Sequence, residues 1–251
     1  MACKGRIAIV TGSGSPKGIG RAVALKLSED GAIVVVADFK EDIVNDTVEL
    51  IKSKGGEAFG VLVDVSKEES VKNMVKTVIE KYGRIDILIN NAGISQSLQV
   101  CDITLDDWNR LVSVNLTGVF LCTREVLPYM KAQKYGRIVF TSSAAGKQGG
   151  GFFGGAHYSA TKGGVLGFAN TVARETALEG ITSNCICPGL IQTEIWKTMP
   201  KEKSDAIIAG IPMKRTGDVK EVAAAFAFLA SDEASYITGE ALDVNGGIIM
   251  D

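Results

Sequence analysis

Residues 6–20, Arg6-Ile7-Ala8-Ile9-Val10-Thr11-Gly12-Ser13-Gly14-Ser15-Pro16-Lys17-Gly18-Ile19-Gly20, decide the fold. A short β-branched run ends in Thr11, and a glycine loop follows it and opens a helix. Glycines let a backbone approach a pyrophosphate closely, and amides at a helix N-terminus meet its charge. The strict G-x-G-x-x-G spacing is absent, because Val23 stands where the third glycine belongs. The loop therefore needs support from the rest of the chain.

Outward from this stretch, apolar runs recur at 6–11, 32–38, 59–65, 85–90, 137–141, 182–187 and 241–244. Most are continuous rather than alternating, with Ile33-Val34-Val35-Val36 the clearest. Such runs fit strands covered on both faces, as in a parallel sheet. Segments of helical period lie between them, at 22–28, 41–53, 70–81, 105–130, 158–179 and 219–230. Gly31 and Gly83 stand where helix stops belong. The alternation predicts an α/β fold, a doubly wound parallel sheet of about seven strands with helices on both faces. No linker or repeat divides it, so residues 1–251 read as one domain. Sheets of this kind bind ligands beyond the carboxyl ends of their strands, so residues just after each strand are the ones to inspect.

Composition narrows the function. With 27 basic and 29 acidic residues the formal charge is −2, and no basic footprint points to nucleic acid. The single histidine, His157, excludes a multi-histidine metal site. Five cysteines (Cys3, Cys101, Cys122, Cys185, Cys187) in apolar surroundings read as buried free thiols of a reducing compartment. The N-terminal apolar run is too short for a signal peptide or membrane span, so a cytoplasmic protein without membrane partners is expected. The 29 glycines show no collagen-like period, so they serve particular turns.

Asp38 ends the second apolar run. A carboxylate there accepts hydrogen bonds from an adenosine ribose and repels a 2′-phosphate, which favours NAD(H) over NADP(H). Lys17, in the glycine loop, pulls the other way. Asp64 ends the third run and is a candidate for the adenine edge; a turn carboxylate is the alternative. Tyr158 and Lys162 are four apart on a predicted helix and share a face. An ammonium near a phenol lowers its pKa, and such a Tyr exchanges a proton with an alcohol or carbonyl oxygen. Ser142-Ser143 end the fifth run, Asn90-Asn91-Ala92-Gly93 the fourth, and Pro188-Gly189 the sixth, with Thr193 just beyond. Asn115 lies on the helix before the fifth run.

Taken together, the chain resembles the short-chain dehydrogenase/reductase family in its single-domain form. The features run in family order: TG…GIG at 11–20, Asp38, Asp64-Val65, NNAG at 90–93, Asn115, Ser143, Tyr158-x-x-x-Lys162, Pro188-Gly189…Thr193, and Val244-Asn245-Gly246-Gly247. The resemblance implies a Rossmann-type fold and a nicotinamide cofactor that carries the hydride. It implies that Tyr158 is the general acid/base and Ser143 hydrogen-bonds the substrate oxygen. Lys162 would lower the Tyr158 pKa and hold the nicotinamide ribose, and Asn115 would position a water relayed through Lys162. Thr193 and the backbone at Ile191 would hold the carboxamide, and Asn90 would line the groove. Gly12, Ser15, Lys17, Gly18, Ile19, Asp38, Asp64, Val65, Asn91, Ala92, Gly93, Pro188 and Gly189 complete the expected cofactor site, with no metal.

Two departures stand out. Five residues separate Gly12 from Gly18 where three are usual, which predicts a bulge of the loop near the adenosine side. Ser143 and Tyr158 are fifteen apart, about two more than usual, and the extra length falls in 146–155, where six of ten residues are glycine. The choice of Ser143 over Ser142 therefore rests on the SSAAG match.

His157 reads as a packing or substrate-lining residue. A serine hydrolase would need it as base and lacks a G-x-S-x-G elbow. Phe152, Phe153, Trp196 and Met199 form either an apolar roof or ordinary loop anchors, and 193–213 reads as a substrate lid. The helices at 105–130 and 158–179 are apolar on more than one face. The equivalent family helices form dimer interfaces, so a homo-oligomer, a dimer of dimers, is expected. The expected reaction interconverts a secondary alcohol and a ketone with NAD(H), on a polyol, sugar or other small hydroxy compound. Reduction of a 3-oxoacyl thioester on a carrier protein is the alternative, and biosynthetic reductases of that kind more often use NADPH. A non-catalytic dinucleotide-binding protein is the remaining reading, and the intact Tyr158, Lys162, Ser143 and Asn115 set argues against it.

Overall fold

In the computed structural model, which describes residues 1–150, 154–192 and 201–250, seven strands form one parallel sheet. They are β1 (Ile7–Thr11), β2 (Ile33–Asp38), β3 (Ala58–Leu62), β4 (Ile87–Asn90), β5 (Gly136–Thr141), β6 (Ile181–Pro188) and β7 (Ala241–Val244). The order is β3-β2-β1-β4-β5-β6-β7. The chain reverses direction across the sheet between β1 and β4, which pair with Ile9 opposite Leu88. That switch point opens a crevice at the strands' carboxyl ends.

The strands are apolar on both faces because both are covered. Ala8, Val10, Val34 and Val36 pack under α1 (Ile19–Glu29), α2 (Glu41–Ser53) and α9 (Val219–Leu229). Their neighbours Ile7, Ile9, Val35 and Ala37 pack under α3 (Glu68–Tyr82), α5 (Gly118–Gln133) and α7 (Ala156–Thr176). Each fully buried Val or Ile contributes about 1.5–3 kcal/mol. Period-two burial on two apolar faces is what a continuous Ile-Val-Val-Val run requires.

Helix ends follow local chemistry. Acidic first turns open α2 (Glu41, Asp42) and α3 (Glu68, Glu69) and meet the helix dipole. Gly83 stops α3 in the left-handed conformation, at φ 70°. A capping box of Asp218 and Glu221 opens α9. α1 differs: its N-cap is Gly18, with no side-chain cap and no acid in the first turn.

The structure corrects three expectations. β3 ends at Leu62, not at 65. The Asp64 N–H donates to Ser70 Oγ at 3.0 Å, and Asp64 Oδ1 accepts from the Ser66 N–H and hydroxyl. These local bonds turn the chain out of the sheet. The helix expected at 105–130 is α4 (Leu105–Val112) and α5 joined by one wide π-turn, Ser113–Thr117. The whole stretch, Leu105–Gln133, is long and apolar enough by composition to cross a membrane. Here Leu121, Cys122, Val126 and Met130 are buried against the sheet, so it packs as a core element. Four cysteines are buried free thiols, but Cys101 is exposed.

A short helix, α6 (Ala144–Gln148), follows β5, and α8 (Lys201–Ala209) lies within the expected lid. Ile211 anchors the end of that segment at the Gly246 turn, where the Met213 N–H donates to the Gly246 carbonyl. Phe152, Phe153, Thr193, Trp196 and Met199 lie outside the described residues.

Candidate active site

The loop after β1 is held from three sides. Gly12 sits at φ +66°, where other residues strain, and a Cβ there would meet Ala92 Cα at 2.8 Å. Asn91 donates through Nδ2 to the Thr11 and Gly12 carbonyls, 3.0 Å each, and Thr11 Oγ1 accepts from the Asn91 and Ala92 N–H groups. Ser13 is buried and donates to the Val10 carbonyl at 2.7 Å. Arg21, itself buried, reaches back from α1 to the Gly14 carbonyl with Nε and Nη2 and pairs with Asp46. Thr47 Oγ1 lies within reach of the Ser13 and Gly14 carbonyls. The lengthened loop is therefore braced from behind, while Ser15, Pro16 and Lys17 are exposed.

The residues fit a pyrophosphate. The first turn of α1 carries no protein-supplied cap, and Gly20 has no room for a side chain. A Cβ there would meet the Gly12 carbonyl oxygen at 2.2 Å and Asn91 Nδ2 at 2.4 Å. Gly20→Ala is therefore expected to cost about 1–3 kcal/mol by overpacking and to weaken dinucleotide binding about tenfold or more. Thermal melts with a cofactor titration check this; unchanged affinity would count against the cradle.

At the adenosine end, Asp38 is buried, and Oδ2 accepts from the Gly14 N–H at 2.7 Å while Oδ1 accepts from the Phe39 N–H at 2.8 Å. Each carboxylate oxygen keeps a second lone pair for an incoming hydroxyl. Phe39, 67% exposed, projects beside it with Lys40 over its ring, 5.3 Å from the centroid. Sequence reasoning passed over Phe39; a large aromatic immediately after the ribose-end acid was the available signal. Asp64 is exposed in its own turn, and the Val65 side chain packs against Gly118 beside Thr11 and Ala92. Asn90 is buried, lies beside Thr11 and Ala92, and donates to Thr123 Oγ1 of α5 at 3.1 Å.

The reacting groups converge beyond β4 and β5. Tyr158 and Lys162 share a face of α7, with Lys162 Nζ 5.8 Å from the phenol ring centroid. Ser143, the N-cap of α6, lies beside the Tyr158 phenol and favours its ionised form. Ser142, by contrast, is buried and donates to the Lys162 carbonyl at 2.9 Å. Geometry thus separates the two serines where spacing did not. Gly154 lies flat on the phenol, since a Cβ there would meet Tyr158 Cδ1 at 2.2 Å, and Gly146 lies equally close to the backbone of Lys162. The glycine-rich wall therefore brings main chain against Tyr158 and α7.

Lys162 Nζ donates to the Thr141 carbonyl at 2.7 Å. Burial pushes its pKa down from the ordinary 10.5 to about 8. Burial also holds the Tyr158 phenol above its usual range, partly offset by Ser143 beside it. The expectation that Lys162 lowers the Tyr158 pKa is thus corrected for the protein alone: its ammonium is directed at Thr141, and desolvation dominates both groups.

Asn115 sits in the π-turn, fully buried. Its amide clamps Ile94, accepting from the N–H at 2.8 Å and donating to the carbonyl at 2.9 Å, and also donates to Thr161 Oγ1 at 3.2 Å. Asn115 Oδ1 and Lys162 Nζ both close on Gly93, at 3.3 and 3.5 Å from where a Cβ would stand. Pro188 ends β6, and Gly189 packs on Asn245, with its N–H on the Val244 carbonyl. Ile191 is buried and bridges to Gly217. Thr193 lies outside the described residues. His157 is fully buried against Gln96 and does not line the crevice.

A doubly wound sheet with a glycine loop opening a helix at its switch point defines a Rossmann-type dinucleotide fold. The comparisons agree. A family model described as "Enoyl-(Acyl carrier protein) reductase" matches residues 12–249. A Sinorhizobium fredii protein named "Uncharacterized short-chain type dehydrogenase/reductase y4mP" is 41% identical over 100% of both chains. The 3-oxoacyl-[acyl-carrier-protein] reductase FabG of Staphylococcus epidermidis is 41% identical over 97% of this chain and 98% of its own. A Thauera aromatica protein, (2S)-[(R)-hydroxy(phenyl)methyl]succinyl-CoA dehydrogenase subunit BbsD, is 37% identical over 98% of each. The solved structure titled "Crystal structure of gox2181" superposes with a TM-score of 0.94 at 38% identity, covering 98% of this chain and 96% of that one. The chain belongs to the short-chain dehydrogenase/reductase family, whose members are NAD(P)-dependent oxidoreductases.

Proposed function

We propose that the protein interconverts a 3-hydroxyacyl and a 3-oxoacyl thioester with NAD(H). The observation that carries the chemistry is the geometry of α7, which sets buried Lys162 Nζ 5.8 Å from the Tyr158 ring centroid, with Ser143 at the N-cap of α6 beside the phenol. The bound nicotinamide supplies or accepts the hydride. In the reducing direction Tyr158 gives its proton to the carbonyl oxygen that becomes the alcohol. Ser143 orients that oxygen. Lys162 holds the nicotinamide ribose and returns the proton to Tyr158, and Asn115 keeps the relay's water in place. Ile191 and Thr193 hold the carboxamide. A phenol held above its usual pKa is protonated at neutral pH, which suits it to act as an acid.

The substrate class follows from the relatives, which favour the thioester reading over the polyol reading. FabG is named for a 3-oxoacyl thioester on a carrier protein, and BbsD for a CoA thioester whose hydroxyl lies on the same third carbon. The cofactor choice rests on Asp38, with Phe39 as a flat wall for the adenine. Steady-state kinetics on acetoacetyl-CoA and on a polyol panel, each with NAD(H) and NADP(H), test both parts. Thioester turnover with kcat/KM about tenfold or more higher for NADH is expected, and Asp38→Ser should reverse the preference. Activity confined to polyols would overturn the substrate class, and a wild-type preference for NADPH would overturn the role of Asp38.

A further inference from the structure

We propose that His157 is a positioning residue that fixes the substrate-side wall of the crevice, residues 94–99, against the start of α7; this rests on the catalytic site described above. His157 is fully buried, one residue before Tyr158, and its Nε2 lies 3.1 Å from Gln96 Oε1. The direction of that bond can be worked out. Gln96 Nε2 lies 2.8 Å from Asp107 Oδ1, and Arg110 Nη2 lies 3.2 Å from Gln96 Oε1. A carboxylate needs a donor and a guanidinium needs an acceptor, so two charged partners on α4 fix which way the amide points. Thr104 and then Gln96 hold the Asp107 carboxyl below its usual range, so it is ionised and can only accept. Gln96 Oε1 is then an acceptor, and His157 must donate through Nε2–H.

That leaves His157 Nδ1 as a bare lone pair, and it is buried without a hydrogen-bond partner among the described residues. A proton there would have no acceptor among the described residues, so the hydrogen-bond geometry fits the Nε2–H tautomer. The backbone is drawn in around the ring. The Gly155 N–H donates to the Gln96 carbonyl at 2.8 Å, and a Cβ on Gly155 would meet the Leu98 carbonyl at 2.5 Å and the His157 ring at 3.0 Å. With Asn115 clamping Ile94, the wall is held at two points: to the π-turn at Ile94, and to the first turn of the helix bearing Tyr158 at Gln96.

Because the chain has a single histidine, its ring nitrogens can be read in ¹⁵N-labelled wild-type protein without assignment. The Nε2–H pattern is expected in the cofactor-saturated protein at neutral pH. An Nδ1–H or doubly protonated ring overturns the proposal, whether or not a substrate has been found. Kinetics give the second arm. His157→Leu should raise KM for the thioester about tenfold with kcat within about threefold, and leave NAD(H) affinity unchanged. His157→Gln, which keeps a donor near the Nε2 position, should recover most of the loss. Equal behaviour of the two variants, or a collapse of kcat at constant KM, also overturns it. If the leucine variant does not fold, Gln96→Leu makes the same comparison from the other side of the bond. Failure of wild-type turnover on every thioester and alcohol would sink the catalytic reading, and the tautomer measurement separates that result from this one.

Discussion

Tyr158→Phe should reduce turnover about 10²–10⁴-fold while leaving the fold and NAD(H) binding intact. The substitution removes one oxygen and keeps the ring on which Gly154 lies. It deletes the group proposed to exchange a proton with the substrate oxygen. Binding terms remain, so the loss belongs in kcat rather than in cofactor affinity. Stopped-flow turnover, together with a fluorescence titration of cofactor, separates the two. A phenylalanine variant that retains near-wild-type kcat would remove Tyr158 from the mechanism.

Lys162→Met is expected to move activity and stability in opposite directions. The ammonium is buried, and desolvation takes its pKa from 10.5 to about 8. Keeping that charge inside the fold costs on the order of 3 kcal/mol at neutral pH. Methionine fills similar space without charge, but leaves the Thr141 carbonyl without its Nζ donor, a loss of about 1–2 kcal/mol. The variant should therefore be about 1–2 kcal/mol more stable than wild type at pH 7 and nearly inactive.

The pH dependence gives this prediction its signature. Below pH ~8 the lysine is protonated in both folded and unfolded chains, so the penalty is complete. Between about 8 and 10.5 the unfolded chain holds the proton more tightly than the folded one, and wild-type stability gains on the variant. Urea midpoints of the two proteins should thus converge as pH rises from 7 to about 9.5. Parallel curves would mean that Lys162 is not a buried charge in the folded protein.

Much of the site was legible because it is carried by residues that act where they stand in sequence. Tyr158 and Lys162 share a helix face by their spacing alone, and Asp38 ends a strand that its own β-branched run defines. Where partners are remote, the sequence was silent. Nothing local announces that Arg21 and Thr47 brace the lengthened loop, or that Gln96 fixes the tautomer of His157 from 61 residues away. The π-turn that turns Asn115 inward leaves the apolar period of 105–130 almost undisturbed, so periodicity ran straight through it. Asp64 was read from its place at a strand end, and the local turn in which its Oδ1 holds Ser66 was not legible there. Ser143 was chosen over Ser142 on a motif, and its physical reason is that Ser142 is already committed to α7.

The strand order has a kinetic consequence. Asn91 ties itself to Thr11 and Gly12 across about 80 residues, and β1 cannot be flanked on both sides until β4 has been made and brought back. Ser143, Tyr158 and the Gly189 turn arrive later still, the last resting on Asn245 beyond β7. Closing such long loops is slow, because their entropy is lost before the contacts that compensate for it form. Helices can form early in the folding chain, but the catalytic crevice exists only once both halves of the sheet have met. Recovery of turnover is therefore among the last events of folding, and a chain that has regained its helical signal is not yet an enzyme.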